Sequence, residues 1–254
     1  MQVTIIGSGN VATVMATILF SKGHTIRQVV GRNPVTTHAL AGKIQATAVN
    51  DLSAMQVHAG TYLLAVSDRA VAEIAAQLSL GDQLLVHTAG SVGKQVLAKA
   101  SSRYGVLWPM KMIRKSLQAL APVTMVTDGN TEEVRGEIDA LAKVFEADIL
   151  RADDALRAKM HLVAAFTSNF SNHLYHLAAD FCEAEQIDFR LFYPIIEATV
   201  QNLQQQHPAS VQAGPAFRGD RQTEAKHLEL LEPYPQAKQL YEMMSKSIRK
   251  RFRG

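Results

Sequence analysis

One cysteine, Cys182, occurs in 254 residues, so no disulfide can form within the chain and no four-cysteine zinc site is available. No apolar run approaches the ~18 residues of a membrane-spanning helix. Nothing ahead of the strand-like run Gln2–Ile6 has the basic and small-residue pattern of a secretory signal. With the lone cysteine, this predicts a cytoplasmic protein. Internal repeats, low-complexity tracts and Gly/Ser linkers are absent as well. Acids are missing from the first fifty residues, Asp51 being the first. What is present is ordinary: 47% hydrophobic and 19% charged residues exclude a disordered chain. The formal charge is +3, yet five bases (Lys246, Arg249, Lys250, Arg251, Arg253) crowd into the last nine residues. Set aside, they leave the rest at −2. The basic excess therefore belongs to a tail, where cations suit a helix C-terminus, and neither nucleic acid nor membrane is expected as a partner.

Two halves differ in rhythm. Short β-rich runs at 3–6, 26–30, 62–66, 84–88, 106–108 and 123–126 alternate with helical spacing at 11–21, 35–43, 69–78, 94–101 and 132–145. Such alternation predicts an α/β fold with a doubly wound, mostly parallel sheet. From Asp153 onward no strand pattern appears, and helices are expected at 153–185, 188–206, 223–231 and 235–251. The predicted organisation is a dinucleotide-binding domain over 1–152 and an all-helical domain over 153–254.

Gly7-Ser8-Gly9-Asn10-Val11-Ala12 follows a strand and opens a helix. Gly7 permits the tight turn, Gly9 admits a pyrophosphate against the backbone, and Ala12 keeps helix and strand close. The helix N-terminus presents free N–H groups to the phosphates. The second strand ends at Val30-Gly31-Arg32-Asn33, where an NAD site usually carries an acid for the ribose 2′-hydroxyl. Here a guanidinium stands instead, able to bind a 2′-phosphate bidentately. NADP is therefore predicted over NAD, with Arg32 as chief contact and Asn33 assisting. Ala65, Val66, Ser67, Thr88 and Ala89, at two further strand ends, are expected to line the cofactor. Asp68 is read as the N-cap of the following helix, and His87 as either facing the cofactor or packing in the sheet.

In the helical half, Leu156, Met160, Val163, Thr167, Phe170, Leu174, Leu177 and Phe181 recur at spacings of four and three, one apolar stripe. His161, Ser168, Asn169, Asn172 and His176 fall on the opposite face, with His173 at its shoulder. A face of amides, hydroxyls and imidazoles suggests burial in a cleft or at a subunit contact. One reading is a substrate site, with His161 or His173 as proton donor and Asn169 or Asn172 orienting a carbonyl or imine. Another is structural hydrogen bonding. His173, His176 and Asp180 share one side and are competent ligands, but no metal is predicted. The Gly- and Pro-rich stretch 207–220 reads as a loop. In it, Arg218 is placed to hold an acidic substrate group, and Asp220 to pair with it or cap the helix from Thr223. Trp108 is read equally as a pocket wall and as core.

The opening Ile5–Ala12 resembles the NADP oxidoreductases typified by pyrroline-5-carboxylate reductase and the deazaflavin-linked NADP reductases. The stretches His161–His173 and Gln212–Asp220 resemble a bacterial group that joins a Rossmann-like domain to a helical domain of unknown function. The likeness spans nearly the whole chain. It implies a helical half like the C-terminal domain of 6-phosphogluconate dehydrogenase, and pairing into a homodimer through it. The Lys-x-x-Asn pair of β-hydroxyacid dehydrogenases is absent, since Leu162 stands three residues after Lys159, and so is the Ser/Thr-rich glycine segment of pyrroline-5-carboxylate reductase. The expected activity is hydride transfer between NADP(H) and a small carbonyl or imine. His161 and Asn169 are the first candidates for chemistry, then Asn172, His173 and Arg218. The alternative class is a non-catalytic NADP-binding sensor, and deazaflavin use is a further option.

Overall fold

The computed structural model describes residues 1–253. Packing divides the chain into two compact units, Met1–Ser168 and Asn169 onward. The first unit is built on β1 (Gln2–Ile6), β2 (Thr25–Val30), β3 (Thr47–Val49), β4 (Thr61–Leu64), β5 (Leu84–His87), β6 (Arg103–Pro109), β7 (Thr124–Gly129) and β8 (Asp148–Arg151). They form one sheet in the order β3-β2-β1-β4-β5-β6-β7-β8. All neighbours run parallel except β6 and β7, which pair antiparallel with Leu107 opposite Thr127. Its helices are α1 (Asn10–Ser21), α2 (Pro34–Lys43), α3 (Asp68–Ala75), α4 (Glu132–Lys143) and α5 (Asp154–Ala164). The strand order reverses between β1 and β4, the place where open α/β sheets bind ligands.

Side chains alternate faces along each strand, and the core divides accordingly. Val3, Ile5, Leu63 and Val86 join α1, α2 and α4 on one face. Ile6, Tyr62, Leu64 and Leu85 join Val71 and Leu97 on the other. Each fully buried side chain of this kind stabilises the fold by ~1.5–3 kcal/mol. A third cluster gathers Val106, Trp108, Val126 and Ala152 under Met160 and Ala164 of α5. Helix ends are set by chemistry legible in the chain. Thr131 accepts from Val134 N at 3.2 Å, Glu132 and Glu133 fill the first turn of α4, and Lys143 closes it.

Several expectations are corrected. β3 and β8 are strands beyond the six read from the pattern. The helix expected over 94–101 is a single 3-10 turn, Lys94–Leu97. Asp68 is the first residue of α3, whose cap is Ser67, and its carboxylate accepts from the Ser91 hydroxyl rather than capping. His87 is fully buried at the end of β5 and packs in the sheet. Trp108 is core, with one ring edge reaching Gly90 and His161.

The second unit holds α6 (Ser171–Ala184), α7 (Tyr193–Gln205), α8 (Pro215–Arg218), α9 (Arg221–Leu230) and α10 (Pro235–Phe252). The helical run expected over 153–185 is not uniform, because a π-helical turn at Ala165–Phe170 separates α5 from α6. The wider turn rotates later residues out of phase with the counted stripe. The stripe and its opposite face are also largely open in this chain: Val163 is 59% and Phe170 53% exposed, and Asn169, Asn172 and His176 are exposed too. Among the described residues, only Cys182, Ala216, Glu224 and Ser245 of this unit are buried. The stretch 207–220 is a loop interrupted by α8. Asp220 accepts from Thr223 N at 3.0 Å and caps α9, which begins at Arg221. From the basic tail, Arg249 pairs with buried Glu224.

Candidate active site

The glycine turn is sterically forced at its first position. Gly7 has φ of +125°, and a Cβ there would lie 2.2 Å from the Ala65 carbonyl oxygen. Its N–H donates to the Val30 carbonyl at 2.7 Å, so the turn ties the end of β1 to the end of β2. A Cβ on Gly9 would meet nothing within 4 Å, so that backbone faces open space. Gly9 caps α1 without a side-chain bond.

This turn opens onto a cleft of about 770 Å³. Gly7, Ser8, Gly9, Asn10, Val11, Arg32, Asn33, Ala65, Val66 and Ser67 line it. Ala12, Thr88 and Ala89 lie outside it: Ala12 is buried on the inner side of α1, and Thr88 and Ala89 are buried beyond β5. Ser8 Oγ is 2.7 Å from Thr36 Oγ1, and Asn33 accepts from Thr36 N at 3.2 Å as the cap of α2. Arg32 has no hydrogen-bond or ion-pair partner among the described residues, so its guanidinium is free for an incoming group.

Sequence reasoning missed the far wall. Ala70, Glu73, Ile74 and Gln77 line the cleft from α3 and the residues just after it. Their i, i+3, i+4, i+7 spacing was a readable signal. Asn50, Asp51 and Leu52 enter from the end of β3, a strand too short to announce itself. Asp51 is thus an acid bordering the cleft, though not at the end of β2. The Ser53 N–H, 3.0 Å from Asp51 Oδ1, holds its carboxyl below the usual range. Among the lining residues, Arg32 is the one base, and Asp51 and Glu73 are the two acids.

Beyond the C-terminal end of β5, Gly90 lies against two rings. A Cβ on it would sit 2.6 Å from His161 Cδ2 and 2.7 Å from Trp108 Cε2. The two rings are tilted at 56° with centroids 5.6 Å apart. His161 is half-buried, and its ring nitrogens carry no hydrogen bond among the described residues. His87 is a different histidine chemically. Burial first, and the Arg157 cation second, lower its pKa to about 4, so the ring is neutral near pH 7. Ala89 N–H donates to its Nδ1 at 3.2 Å, which leaves the proton on Nε2. Asp154 is pushed up by burial, but bonds from Arg157 and the Lys94 N–H outweigh this and hold its carboxyl low.

The remaining candidates belong to the second unit. Asn169, Asn172 and His173 are exposed at the start of its helices. The His173 and His176 rings are tilted at 45° with centroids 6.1 Å apart, and His176 Nδ1 lies 3.5 Å from Asp180 Oδ1. Arg218 ends α8 and borders a shallow cavity with Phe217, Phe252 and Arg253.

Comparison with known proteins gives consistent relatives. The family model described as NADP oxidoreductase, coenzyme F420-dependent, matches residues 2–91. A domain of unknown function, DUF2520, matches residues 123–248. Among curated proteins, no match is found. Among solved structures, BF3122 from Bacteroides fragilis, named as a candidate NADP oxidoreductase, is 31% identical over 98% of both chains with a TM-score of 0.92. Protein TM1727 from Thermotoga maritima is 18% identical over 98% of both chains, with a TM-score of 0.78. An imine reductase from Myxococcus stipitatus, solved with NADP+, is 14% identical over 98% of this chain and 93% of that one, with a TM-score of 0.69.

Proposed function

Because this chain belongs to the family of Rossmann-like NADP oxidoreductases, we propose that it binds NADP(H) in the cleft at the glycine turn and reduces a small carbonyl or imine. The observation that carries this reading is the cleft itself. A forced Gly7 turn, an open Gly9 backbone and an unpaired Arg32 line one cavity. Gly9 and the first turn of α1 receive the pyrophosphate, and Arg32 takes the 2′-phosphate. The imine reductase solved with NADP+ has the same fold, which supports the cofactor. Bound NADPH supplies the hydride from its nicotinamide ring. The chain supplies the proton and the geometry.

His161 is the proposed proton donor. It is half-buried, unpaired and held beside Trp108 and Gly90 at the C-terminal ends of β5 and β6. Hydride addition to the C=O or C=N carbon, with a proton from His161 to the oxygen or nitrogen, balances the step as an alcohol or amine. Asn169, Asn172 and His173 are proposed to orient the substrate, and Arg218 to hold an acidic group on it. The second unit exposes Leu174, Tyr175, Leu191, Ile195, Val200 and Met243. Apolar surface of that extent needs a partner, and a second copy of this chain is proposed to cover it.

The test is a panel of cyclic imines, ketone–amine pairs and keto acids, followed by loss of NADPH absorbance. The expected result is turnover with a member of the panel, reduced about 10²–10⁴-fold in kcat by His161→Ala. Tight NADPH binding with no turnover across the panel would overturn the catalytic reading.

A further inference from the structure

The first turn of α5 is fastened to the loop that leaves β5. Arg157, 1% exposed, donates through one nitrogen, Nη2, to the Val92 carbonyl and to Asp154 Oδ1, the latter at 2.7 Å. Asp154 in turn accepts from the Lys94 N–H with both oxygens at 3.2 Å. The Gly93 backbone packs so closely that a Cβ would lie 2.9 Å from Asp154 Oδ2. Lys94 extends the fastening to Asp128 of β7 at 2.5 Å. Residues 154, 157 and 161 share one face of α5, being spaced three and then four apart. The same loop therefore meets α5 twice: at Asp154 and Arg157, and again where Gly90 touches His161.

A buried arginine is a costly way to dock a helix. Two of its nitrogens, Nε and Nη1, have no partner although they are buried, as does Nε2 of His87 nearby. Unspent buried donors lower stability, and buried ion pairs commonly add none over apolar residues of the same size. Apolar docking is already provided by Met160 and Ala164 on the cluster around Trp108. Stability thus does not account for Arg157. Directional bonds to Val92 and Asp154 do fix what apolar contacts leave loose, which is the rotation and register of α5.

We infer that Arg157 is a positioning residue: its bonds to the Val92 carbonyl and Asp154 set the register of α5, and so hold the His161 ring against Gly90 and Trp108. The functional consequence rests on the proposed role of His161 as proton donor. The geometry can be read without any substrate. Trp108 is the only tryptophan, and a protonated imidazole in contact with an indole quenches its emission. His161 faces Trp108 directly. The other charged or titratable groups of this network are His87, Asp68, Asp154, Arg157, Lys94 and Asp128, and of these His87 titrates below the range used.

The experiment follows Trp108 emission from pH 8 to pH 5, where histidine side chains in general change charge, in the wild type and in Arg157→Met, Arg157→Lys and His161→Gln. Expected are quenching on acidification in the wild type, its loss in H161Q, and its reduction to less than half in R157M. R157M should keep its unfolding midpoint and bind NADPH within twofold of the wild type. R157K should recover most of the quenching, since an ammonium can donate to both acceptors. Full quenching in R157M, or acid quenching that survives H161Q, overturns the inference. So does quenching lost only in variants that have also lost their cooperative fold, which would make the ion pair merely structural. These outcomes are separate from the catalytic reading. Turnover fails or succeeds in the substrate panel, whereas ring placement is read from the emission.

Discussion

Arg32 is the residue on which cofactor choice turns. It stands unpaired at the end of β2, while the acids of the cleft, Asp51 and Glu73, come from the turn after β3 and from α3. Arg32→Ala should weaken NADPH about tenfold or more, the worth of a charge-assisted bidentate contact at ~1.4 kcal/mol or above. NADH affinity should be unchanged, and isothermal titration of both nucleotides checks it. His87 makes a separate prediction about stability. Its folded pKa, about 4, lies below the ordinary 6.5. The unfolded chain therefore binds the extra proton first. Stability from this group is full above pH 6.5 and is lost as pH falls toward 4, by about 3 kcal/mol in all. Urea titrations at pH 7 and pH 4.5 should show the loss, and His87→Gln should flatten it. An equal slope in the variant would assign the acid sensitivity to other groups.

At the scale of the element, the βα units that bind the cofactor were legible because each carries its own punctuation. The glycine turn follows a strand of alternating faces, and Asn33-Pro34 opens α2 with a cap and a helical proline. β3 escaped because three residues, Thr47–Val49, are too few to show a period. β8 escaped because Asp148–Arg151 is polar at both ends and largely exposed. The far wall of the cleft was hidden with β3, although the α3 face at 70, 73, 74 and 77 carried a signal. The π-helical turn was not legible, since nothing in Ala165–Phe170 marks a change of pitch, and a uniform helix projects the following side chains wrongly. Contact between Gly90, Trp108 and His161 is a tertiary fact joining segments far apart in sequence. It yields a test at this scale. Gly90→Ala forces a methyl to within 2.6 Å of His161, so the rings must move. Such overpacking costs ~1–3 kcal/mol, and the circular dichroism melt should fall while the near-ultraviolet signal of Trp108 changes.

For the whole molecule, the two units bury their residues very differently. The first is built on an eight-stranded sheet with cores on both faces. The second leaves about half of its large apolar side chains exposed, Leu191 at 71% and Ile195 at 65% among them. Soluble monomers rarely expose contiguous apolar patches of this kind. Light scattering should accordingly give twice the chain mass, and Ile195→Asp with Leu191→Asp should shift it toward the monomer. A wild-type monomer at micromolar concentration would remove the proposed homodimer. No helix among the described residues is long and apolar enough to cross a membrane.

The proposed site for NADP(H) in the cleft is tested most directly by titrating the purified wild-type protein with NADPH and with NADH. NADPH should bind tighter by roughly tenfold or more, a difference of ~1.4 kcal/mol. Equal affinity for the two nucleotides would contradict the role of Arg32, and binding of neither would contradict the cofactor site itself.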